Sequence, residues 1–496
     1  MIQVICREEA YIYNAYHMTK AFYPSAEVLS RIEEKASNYV TINLDGKDVA
    51  FVSDKELEGY VNKSSCMAGG HCKEVFDRDD FGAKELKHII DRSLYHQLER
   101  QTGHALSWGI LMGVRPVKLA MKCLSEGMGQ TEFIRWFEEN YLVSREKSYL
   151  AWNIAVKEKA LLDKLDTKDG YSLYVGIPFC PTICSYCSFS QGELSFYENR
   201  VDDYLDALCR EIEFIAKKSE EKHLNTIYIG GGTPTTLNEE QLDRLLSCIG
   251  DHFSKEHLLE YTVEAGRADS ITSKKLAVIK SHGITRISIN PQTMQQKTLD
   301  RIGRRHTAEE VRAAFYLARD MGFDNINMDL IMGLEGETPE DVADTLRQIE
   351  ELSPDNLTVH SLAIKRAAKI KRQDEKNAGQ IGQMIRKAAW SAEQMGMSPY
   401  YLYRQKNIAG NFENVGYAKV DKAGIYNILI MEEKQSIIAA GAGASTKILL
   451  AEPKPMPGSK KKKMTNLIRQ ENVKAVEEYI GRVDEMIERK GEWLWR

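Results

Sequence analysis

The sequence predicts an α/β fold: a partial (β/α)6 barrel with an α+β domain before it and a mixed or helical region after it. Three observations predict this fold. Short β-branched or apolar runs recur along the middle of the chain, segments of helical length separate them, and the alternation is absent before about residue 165. The runs are 173–177, 226–229, 259–264, 285–290, 325–331 and 356–362, and the helical segments are 197–217, 239–252, 272–282, 308–321 and 338–351. Six strand–helix units are fewer than the eight of a closed barrel, so a barrel open on one side fits the count.

The N-terminal domain is predicted to span 1–165 and to combine a hairpin with helices. Apolar runs flank Asp45-Gly46, and both turn positions tolerate a positive φ, which favours a two-residue hairpin turn. Helical periodicity follows at 84–101, 117–125, 130–140 and 145–164. Before the first helix, Cys66, His71 and Cys72 lie in a Gly- and Ser-containing stretch. This stretch is interpreted either as a flexible loop with two bystander thiols or as a metal site.

The barrel is predicted at 166–365, and a C-terminal region at 366–496 is expected to cover its substrate side. Segments 400–403, 411–413 and 441–445 mark that region as compact. Four consecutive lysines at 460–463 are interpreted either as a solvated surface loop or as a contact for an anionic partner.

Composition narrows the class of protein. With 43% hydrophobic and 28% charged residues, the 496-residue chain can bury a large core. A net charge of −5 gives no overall attraction to nucleic acid. No long apolar run and no secretory signal are present, so we expect a cytoplasmic protein without a membrane span. Nine cysteines in a reducing compartment are not a disulfide framework, and the three within residues 180–187 call for a metal explanation.

Cys180, Cys184 and Cys187 follow directly on the first predicted barrel strand. Three thiolates on one tight loop can bind three irons of a [4Fe–4S] cluster. No fourth ligand lies nearby in sequence, so one iron stays open for another molecule, as in catalytic zinc sites. Pro178 and Pro181 restrict the backbone on both sides of Cys180. The alternative is a zinc site with a remote fourth ligand, but no paired Cys or His motif follows downstream.

Polar residues and glycines follow at the ends of the next strands. The segment 230–233, Gly-Gly-Gly-Thr, ends the second strand, and glycines let a ligand approach the backbone closely. Glu264, Gln292 and Asp329 end later strands, and Arg304 follows the fourth. Each has an ordinary structural interpretation, as a turn, a cap, a solvated acid or a surface guanidinium. Because parallel strands end at one edge of a sheet, together they predict a ligand site there.

These motifs resemble the radical S-adenosylmethionine (SAM) superfamily. The resemblance rests on the three cysteines, on the lead-in Tyr174-x-x-Ile-Pro-Phe-Cys180, and on the aromatic Tyr186 before the last cysteine. It implies a [4Fe–4S] cluster whose open iron chelates the amine and carboxylate of SAM. It also implies that an electron from the reduced cluster cleaves SAM to a 5′-deoxyadenosyl radical, which takes hydrogen from a substrate.

The order of the strand-end residues is similar to that of the oxygen-independent coproporphyrinogen III oxidase family. That similarity implies SAM-contacting roles for ten residues but identifies no further catalytic group. The ten are Tyr174, Tyr186, Gly231, Gly232, Thr233, Glu264, Gln292, Arg304, Asp329 and Ala363.

Within that family, the chain most resembles the coproporphyrinogen dehydrogenase subgroup of Gram-positive bacteria. The shared features are the extra N-terminal domain and the segments 400–403, 411–417 and 441–445. The implied reaction is oxidative decarboxylation of two propionates of coproporphyrinogen III to vinyl groups, giving protoporphyrinogen IX in anaerobic haem biosynthesis. The implied partners are this tetrapyrrole and an electron donor such as a flavodoxin or ferredoxin.

One position departs from the family pattern. The oxidase branch has histidine where this chain has Gly176. The change removes an imidazole beside the cluster, which would have been a proton donor or a hydrogen-bond partner. Two alternatives therefore stay open: a haem-binding, trafficking protein of the same family, and another radical SAM enzyme that acts on tetrapyrroles.

Overall fold

The computed structural model describes residues 1–58, 82–113, 115–187, 192–363, 376–405, 411–456 and 464–495. Cys66, His71, Cys72 and the lysines at 460–463 lie outside these ranges, so both interpretations of each segment stay open. The chain divides into two compact units. The first comprises Met1–Val156, Lys371–Gly382 and Arg404–Glu413, and the second comprises Lys157–Ile370, Gln383–Tyr403 and Asn414–Arg496.

The first unit contains a four-stranded sheet. Its elements are β1 (Ile2–Cys6), α1 (Glu9–Phe22), β2 (Val28–Ile32), β3 (Val40–Leu44) and β4 (Lys47–Val52). In the order β2-β1-β3-β4, β1 pairs parallel with β2 and antiparallel with β3. β3 and β4 form the predicted hairpin, and φ at Asp45 and Gly46 is +48° and +88°. This prediction is therefore confirmed.

Among the described residues, four further helices that begin in the first unit have both ends described. They are α2 (Ala83–Thr102), α3 (Val117–Ser125), α4 (Gln130–Tyr141) and α5 (Arg145–Leu162), which match the four predicted helical segments. Ile90, Leu94 and Leu98 recur at helical spacing along α2 and are fully buried. They join Ile2, Val4 and the other inward residues of the sheet in one hydrophobic core.

The second unit is built on one 11-stranded sheet. Its strands are β5 (Gly170–Ile177), β8 (His223–Gly231), β9 (Glu260–Glu264), β10 (Arg286–Ser288), β11 (Ile326–Met332), β12 (Asn356–Ser361), β13 (Ser398–Tyr403), β14 (Asn414–Ala418), β15 (Ser436–Ala440), β16 (Ser445–Pro455) and β17 (Met464–Glu471); β6 (Phe179–Cys180) and β7 (Gly192–Glu193) pair separately. The order is β13-β14-β12-β11-β10-β9-β8-β5-β15-β16-β17. β5 and β8 to β12 are parallel neighbours in chain order. They coincide with the six predicted runs and confirm the fold class.

Helices connect the parallel strands. They are α6 (Val201–Lys218), α7 (Glu239–His252), α8 (Ser273–Ser281), α9 (Gln296–Arg301), α10 (Ala308–Asp320) and α11 (Pro339–Leu352), followed by α12 (Lys376–Gln394), α13 (Ile425–Glu432), α14 (Val476–Gly481) and α15 (Val483–Gly491). Capping boxes begin α7, α10 and α11: Asn238 with Gln241, Thr307 with Glu310, and Thr338 with Asp341. Each satisfies helix N–H groups that have no partner within the helix.

The C-terminal part of the chain extends the same sheet at both edges. β14 pairs antiparallel with β12 on one side, and β15 adds a seventh parallel strand beside β5 on the other. These pairings join distant segments, so local periodicity does not reveal them. The predicted boundaries near 165 and 365 stay predictions. Among the described residues, the structure contains no helix of the length and apolarity that a bilayer-spanning helix needs.

Candidate active site

The loop after β5 carries the three predicted cluster cysteines. Cys180 and Cys184 are buried and Cys187 is half-buried. The Cys187 amide donates to the Cys184 carbonyl at 3.1 Å and closes a tight turn. Arg267 Nη1 donates to the Thr182 carbonyl and hydroxyl oxygens at 3.0 and 2.7 Å. The three thiols therefore lie on one short loop that is braced by the residues after β9.

Two polar side chains reach the sulfur atoms. Thr233 Oγ1 lies 3.4 Å from Cys180 Sγ, and the Arg304 guanidinium hydrogen-bonds to the Cys184 sulfur. Donors and a positive charge beside sulfur stabilise thiolates and tune a cluster that they ligate. In the described parts of the chain, no three His, Cys, Asp or Glu side chains converge on a single-ion site. A [4Fe–4S] cluster instead spreads its thiolates over three irons, and the donor set of three cysteines fits that group.

The glycine segment that ends β8 packs directly on the cluster loop. Gly231 has φ of +110°, in the left-handed region that favours glycine. The Gly232 amide donates to the Ile177 carbonyl and the Thr233 amide to the Phe179 carbonyl, both at 2.7 Å. A Cβ added at Gly232 would lie 2.4 Å from the Phe179 carbonyl oxygen. Only glycine permits this close approach of the two backbone segments.

Gly176, where the family pattern has histidine, lies on β5, and the end of β15 and Gly441 pack closely against it. A Cβ at Gly176 would lie 3.4 Å from both the Ala440 carbonyl oxygen and Tyr174 Cε1. A Cβ at Gly441 would lie 2.5 Å from the Gly176 carbonyl oxygen, which also accepts a hydrogen bond of 2.6 Å from the Tyr204 hydroxyl. A Cβ at 176 would therefore make ordinary van der Waals contacts with Ala440 and Tyr174.

Glu264 is the last residue of β9. Its carboxylate accepts a hydrogen bond from the Tyr228 hydroxyl on β8. Burial raises the pKa of Glu264 from 4.5 to about 7, and the negative charge of Asp329 adds to the increase. The Tyr228 hydrogen bond and the Arg286 charge oppose it. A carboxyl group with such a pKa can accept or donate a hydrogen bond near neutral pH.

Asp329 on β11 belongs to a second polar group. Asn327 Nδ2 donates to Asp329 Oδ1 at 2.7 Å, and His360 Nε2 on β12 lies 3.6 Å from Asp329 Oδ2. Burial opposes ionisation, but hydrogen bonding and charge from His360 hold the pKa of Asp329 below its ordinary value. The Tyr403 hydroxyl lies 3.3 Å from His360 Nδ1. Asp329 is therefore an ionised acceptor, and His360 is one quarter exposed beside it.

Buried polar residues occupy alternate positions along β10 and the segment directly after it, and they form a polar stripe. Arg286, Ser288, Asn290 and Gln292 alternate with apolar residues, and each is 9% exposed or less. Each has at least one buried polar atom without a hydrogen-bond partner among the described residues: Arg286 Nε and Nη2, Ser288 Oγ, Asn290 Oδ1 and Gln292 Oε1. Buried polar atoms are costly without partners, so this stripe fits a polar ligand.

Arg304 connects this stripe to the cluster loop. Its guanidinium donates to the Asn290 carbonyl, and Nη2 donates to the Tyr186 hydroxyl at 3.2 Å. Its Nε is another buried atom without a described partner. Tyr186 packs against a small hydrophobic cluster of Ile302, Ile331, Leu334 and Leu362. Ala363 follows Leu362 just past β12.

The rings of three tyrosines stack on one another beside Glu264. The rings of Tyr228 and Tyr426 lie 4.5 Å apart at 20°, and Tyr174 stacks at 6.2 Å from Tyr228 and 6.4 Å from Tyr426. All three are buried deeply enough to raise their pKa values above the ordinary value, so they stay protonated. The site thus combines apolar ring faces with polar strand ends, as small-molecule sites do.

The structure brings the predicted residues together at the carboxyl edge of the parallel strands. Contacts link the cluster loop with Gly232, Thr233, Tyr186 and Arg304. Glu264 and Asp329 lie close enough for the charge of Asp329 to raise the pKa of Glu264. Their roles toward SAM stay predictions. Seven residues of the site were not predicted from the sequence: Tyr228, Arg286, Ser288, Asn290, His360, Tyr403 and Tyr426. The alternation along 286–292 is visible in the sequence and signals Ser288 and Asn290; the aromatic residues carry no comparable signal.

Known proteins resemble this chain over different lengths. The family model of the radical SAM superfamily matches residues 174–349. The oxygen-independent coproporphyrinogen-III oxidase-like protein HemZ of Bacillus subtilis is 40% identical over 446 residues, which cover 87% of each chain. The heme chaperone HemW of the same species is 38% identical over 194 residues, 39% of this chain and 50% of HemW.

Oxidases match a shorter part. The oxygen-independent coproporphyrinogen III oxidase of Salmonella typhimurium is 35% identical over 192 residues, 39% of this chain and 42% of the oxidase. The solved structure of coproporphyrinogen III oxidase (HemN) from Escherichia coli covers 66% of this chain and 73% of its own, with a TM-score of 0.49 and 23% identity. The identity to HemZ over most of both chains shows that this chain belongs to the HemN-like family of the radical SAM superfamily, and to its oxygen-independent coproporphyrinogen III oxidase-like members.

Proposed function

We propose that this chain is a radical SAM enzyme that oxidatively decarboxylates two propionates of coproporphyrinogen III to vinyl groups and so yields protoporphyrinogen IX. The observation that carries the proposal is the packing of the glycine segment on the cysteine loop, through the 2.7 Å backbone hydrogen bonds and the 3.4 Å contact between Thr233 and Cys180. This packing places three cysteines and a glycine backbone without side chains at one strand edge, where the family needs its cluster and SAM.

Cys180, Cys184 and Cys187 would hold the cluster, and the neighbouring strand ends would hold SAM. When bound, the reduced cluster and SAM supply a deoxyadenosyl radical that takes hydrogen from the propionate. The segment 230–232 carries no side chains, so SAM could approach its backbone closely. Glu264 and Asp329 offer acceptors for amine and hydroxyl groups.

The protein's remaining polar groups orient these ligands. Arg304 holds Tyr186 and the Asn290 carbonyl, so the cluster loop and the β10 stripe keep one spacing. The stacked tyrosines exclude water from one side of the site, and His360 with Tyr403 offers donors for a substrate carboxylate at its more exposed side. An electron donor such as a flavodoxin or ferredoxin would reduce the cluster, and an acceptor would take the electron released with CO₂.

A haem carrier of the same family is the second candidate. The 38% identity to HemW over 194 residues favours it. The match to HemZ extends over 87% of both chains, whereas the match to HemW covers 39% of this chain and 50% of HemW. For this reason the enzymatic function is preferred.

The test is anaerobic incubation of the reconstituted protein with SAM, a reductant and coproporphyrinogen III, followed by pigment analysis. We expect porphyrins with three and then two carboxylates, in step with deoxyadenosine. Deoxyadenosine without these pigments would overturn the substrate assignment and keep the radical chemistry. Stoichiometric haem binding without SAM turnover would establish the carrier instead. Methylated, ring-opened products would establish a different tetrapyrrole reaction.

A further inference from the structure

Two cysteines outside the cluster loop lie on neighbouring helices of the second unit. Cys209 belongs to α6 and Cys248 to α7, and both are half-buried. The proposed reaction uses neither thiol. They lie at the edge of the buried faces of their helices, where a small solute can reach them.

The register of the two helices places these thiols side by side. α6 and α7 follow the consecutive parallel strands β5 and β8, so they run in the same direction. Two polar contacts between residues 39 and 38 positions apart set the register: Gln241 with Asp202, at 3.2 Å, and Arg244 with Asp206. Cys248 lies 39 positions after Cys209, so the next turn of each helix brings the two cysteines together.

The two thiols are close enough to influence each other's ionisation, and they are chemically unequal. A hydrogen bond from the Cys248 thiol lowers the pKa of Cys209, and the nearby Arg244 guanidinium lowers it further. Burial and the negative charge of Asp206 oppose this decrease. The same hydrogen bond, together with burial, raises the pKa of Cys248. A thiol with a lowered pKa beside a second thiol is the arrangement of an attacking and a resolving cysteine.

We propose that Cys209 and Cys248 form a reactive dithiol, which hydroperoxides oxidise to a disulfide between α6 and α7. The Cys209 thiolate attacks the O–O bond of hydrogen peroxide, so that an S–O bond forms and hydroxide leaves. The hydroxide takes the proton of Cys248 and becomes water. The Cys248 thiolate then attacks the oxidised sulfur; the S–S bond forms as the S–O bond breaks, and a second hydroxide takes a proton from solvent. Two thiols lose two electrons, and one peroxide becomes two waters.

The opposite face of α6 supports the strand that leads into the cluster loop. The Tyr204 hydroxyl donates to the Gly176 carbonyl at 2.6 Å, and Glu211 accepts from the Gly441 amide at 2.9 Å. A disulfide at Cys209 would therefore pin this supporting helix to its neighbour. The inference does not rest on the proposed substrate, since it requires only the two thiols and a hydroperoxide.

The experiment uses the full chain with its cluster reconstituted. The protein is exposed anaerobically to increasing amounts of hydrogen peroxide, alkylated, and digested with trypsin without reduction. Cleavage after Arg200, Arg210, Arg244 and Lys255 places the two cysteines on peptides 201–210 and 245–255. We expect mass spectrometry to find these peptides disulfide-linked before the cluster absorption is lost, and dithiothreitol to separate them. In the untreated protein, iodoacetamide should modify Cys209 about tenfold faster than Cys248.

Serine variants distinguish the dithiol from general oxidation. Cys248→Ser should leave Cys209 as a sulfenic acid that dimedone traps, and Cys209→Ser should leave Cys248 unmodified by dimedone. Both should keep the wild-type circular dichroism and cluster absorption. The proposal would be overturned if the cluster absorption were lost before any disulfide between peptides 201–210 and 245–255 formed. Dimedone labelling of Cys248 in preference to Cys209 would also overturn it.

Discussion

Replacement of Gly232 by alanine tests the contact that joins the two halves of the site. The added Cβ would lie 2.4 Å from the Phe179 carbonyl oxygen and 3.0 Å from that of Ile177, whereas ordinary contact begins at 3.4 Å. The two backbone segments must therefore separate by roughly 1 Å. Both oxygens accept hydrogen bonds of 2.7 Å across the same contact, and each such bond contributes about 1 kcal/mol.

Lengthening both hydrogen bonds and overpacking the loop together should destabilise the second unit by about 2–4 kcal/mol. The midpoint of thermal unfolding should fall by several degrees, roughly 2–4 °C per kcal/mol. The loop that moves carries Cys180, so iron content after anaerobic reconstitution and SAM binding should fall as well. Gly266→Ala is the matched control, because its Cβ would meet only Asn290 Nδ2, at 3.8 Å. Wild-type stability, iron content and SAM binding in Gly232→Ala would refute the close-contact argument.

Two further predictions concern buried charge. The pKa of Glu264 is raised from 4.5 to about 7, so its contribution to stability is fully present below pH 4.5 and is lost as pH rises through 7. In urea unfolding, the stability of wild type relative to Glu264→Gln should fall by up to about 3 kcal/mol between about pH 5 and 8, and a constant difference would contradict the raised pKa. Lys490→Met removes the positively charged partner of the fully buried Glu211, 2.6 Å away, and should cost about 3–5 kcal/mol. The control Arg347→Met breaks only exposed ion pairs, so an equal loss in both variants would count against the buried pair.

Local pattern predicted the parallel core of the sheet but not its edges. Each of β5 and β8 to β12 is a short apolar run followed by a helical segment, so alternation alone places it. β15 has the same kind of run, Ser436–Ala440, but it joins the sheet beside β5, far away in sequence. Such pairings depend on which chain segments meet in space, and no local periodicity records them.

The candidate site likewise contains residues that local sequence predicted and residues that only distant contacts bring in. The cysteines and Gly231–Gly232 were visible because spacing and backbone freedom are written in the sequence. Tyr426 was not, since it reaches the site from α13 and joins it through ring stacking on Tyr228 and Tyr174. His360 likewise gains its interest from Asp329 on the neighbouring strand. Contacts between strands and helices create these groups, so a motif search passes over them.

The central claim is that Cys180, Cys184 and Cys187 hold a cluster that cleaves SAM beside the glycine segment. Its most direct test is the yield of 5′-deoxyadenosine from anaerobically reconstituted wild type, Cys184→Ala and Cys123→Ala with SAM and dithionite. Cys123 is a buried thiol of the first unit and serves as the control. We predict deoxyadenosine from wild type and Cys123→Ala, and neither deoxyadenosine nor the cluster's visible absorption from Cys184→Ala. An intact cluster that still cleaves SAM in Cys184→Ala would contradict the claim.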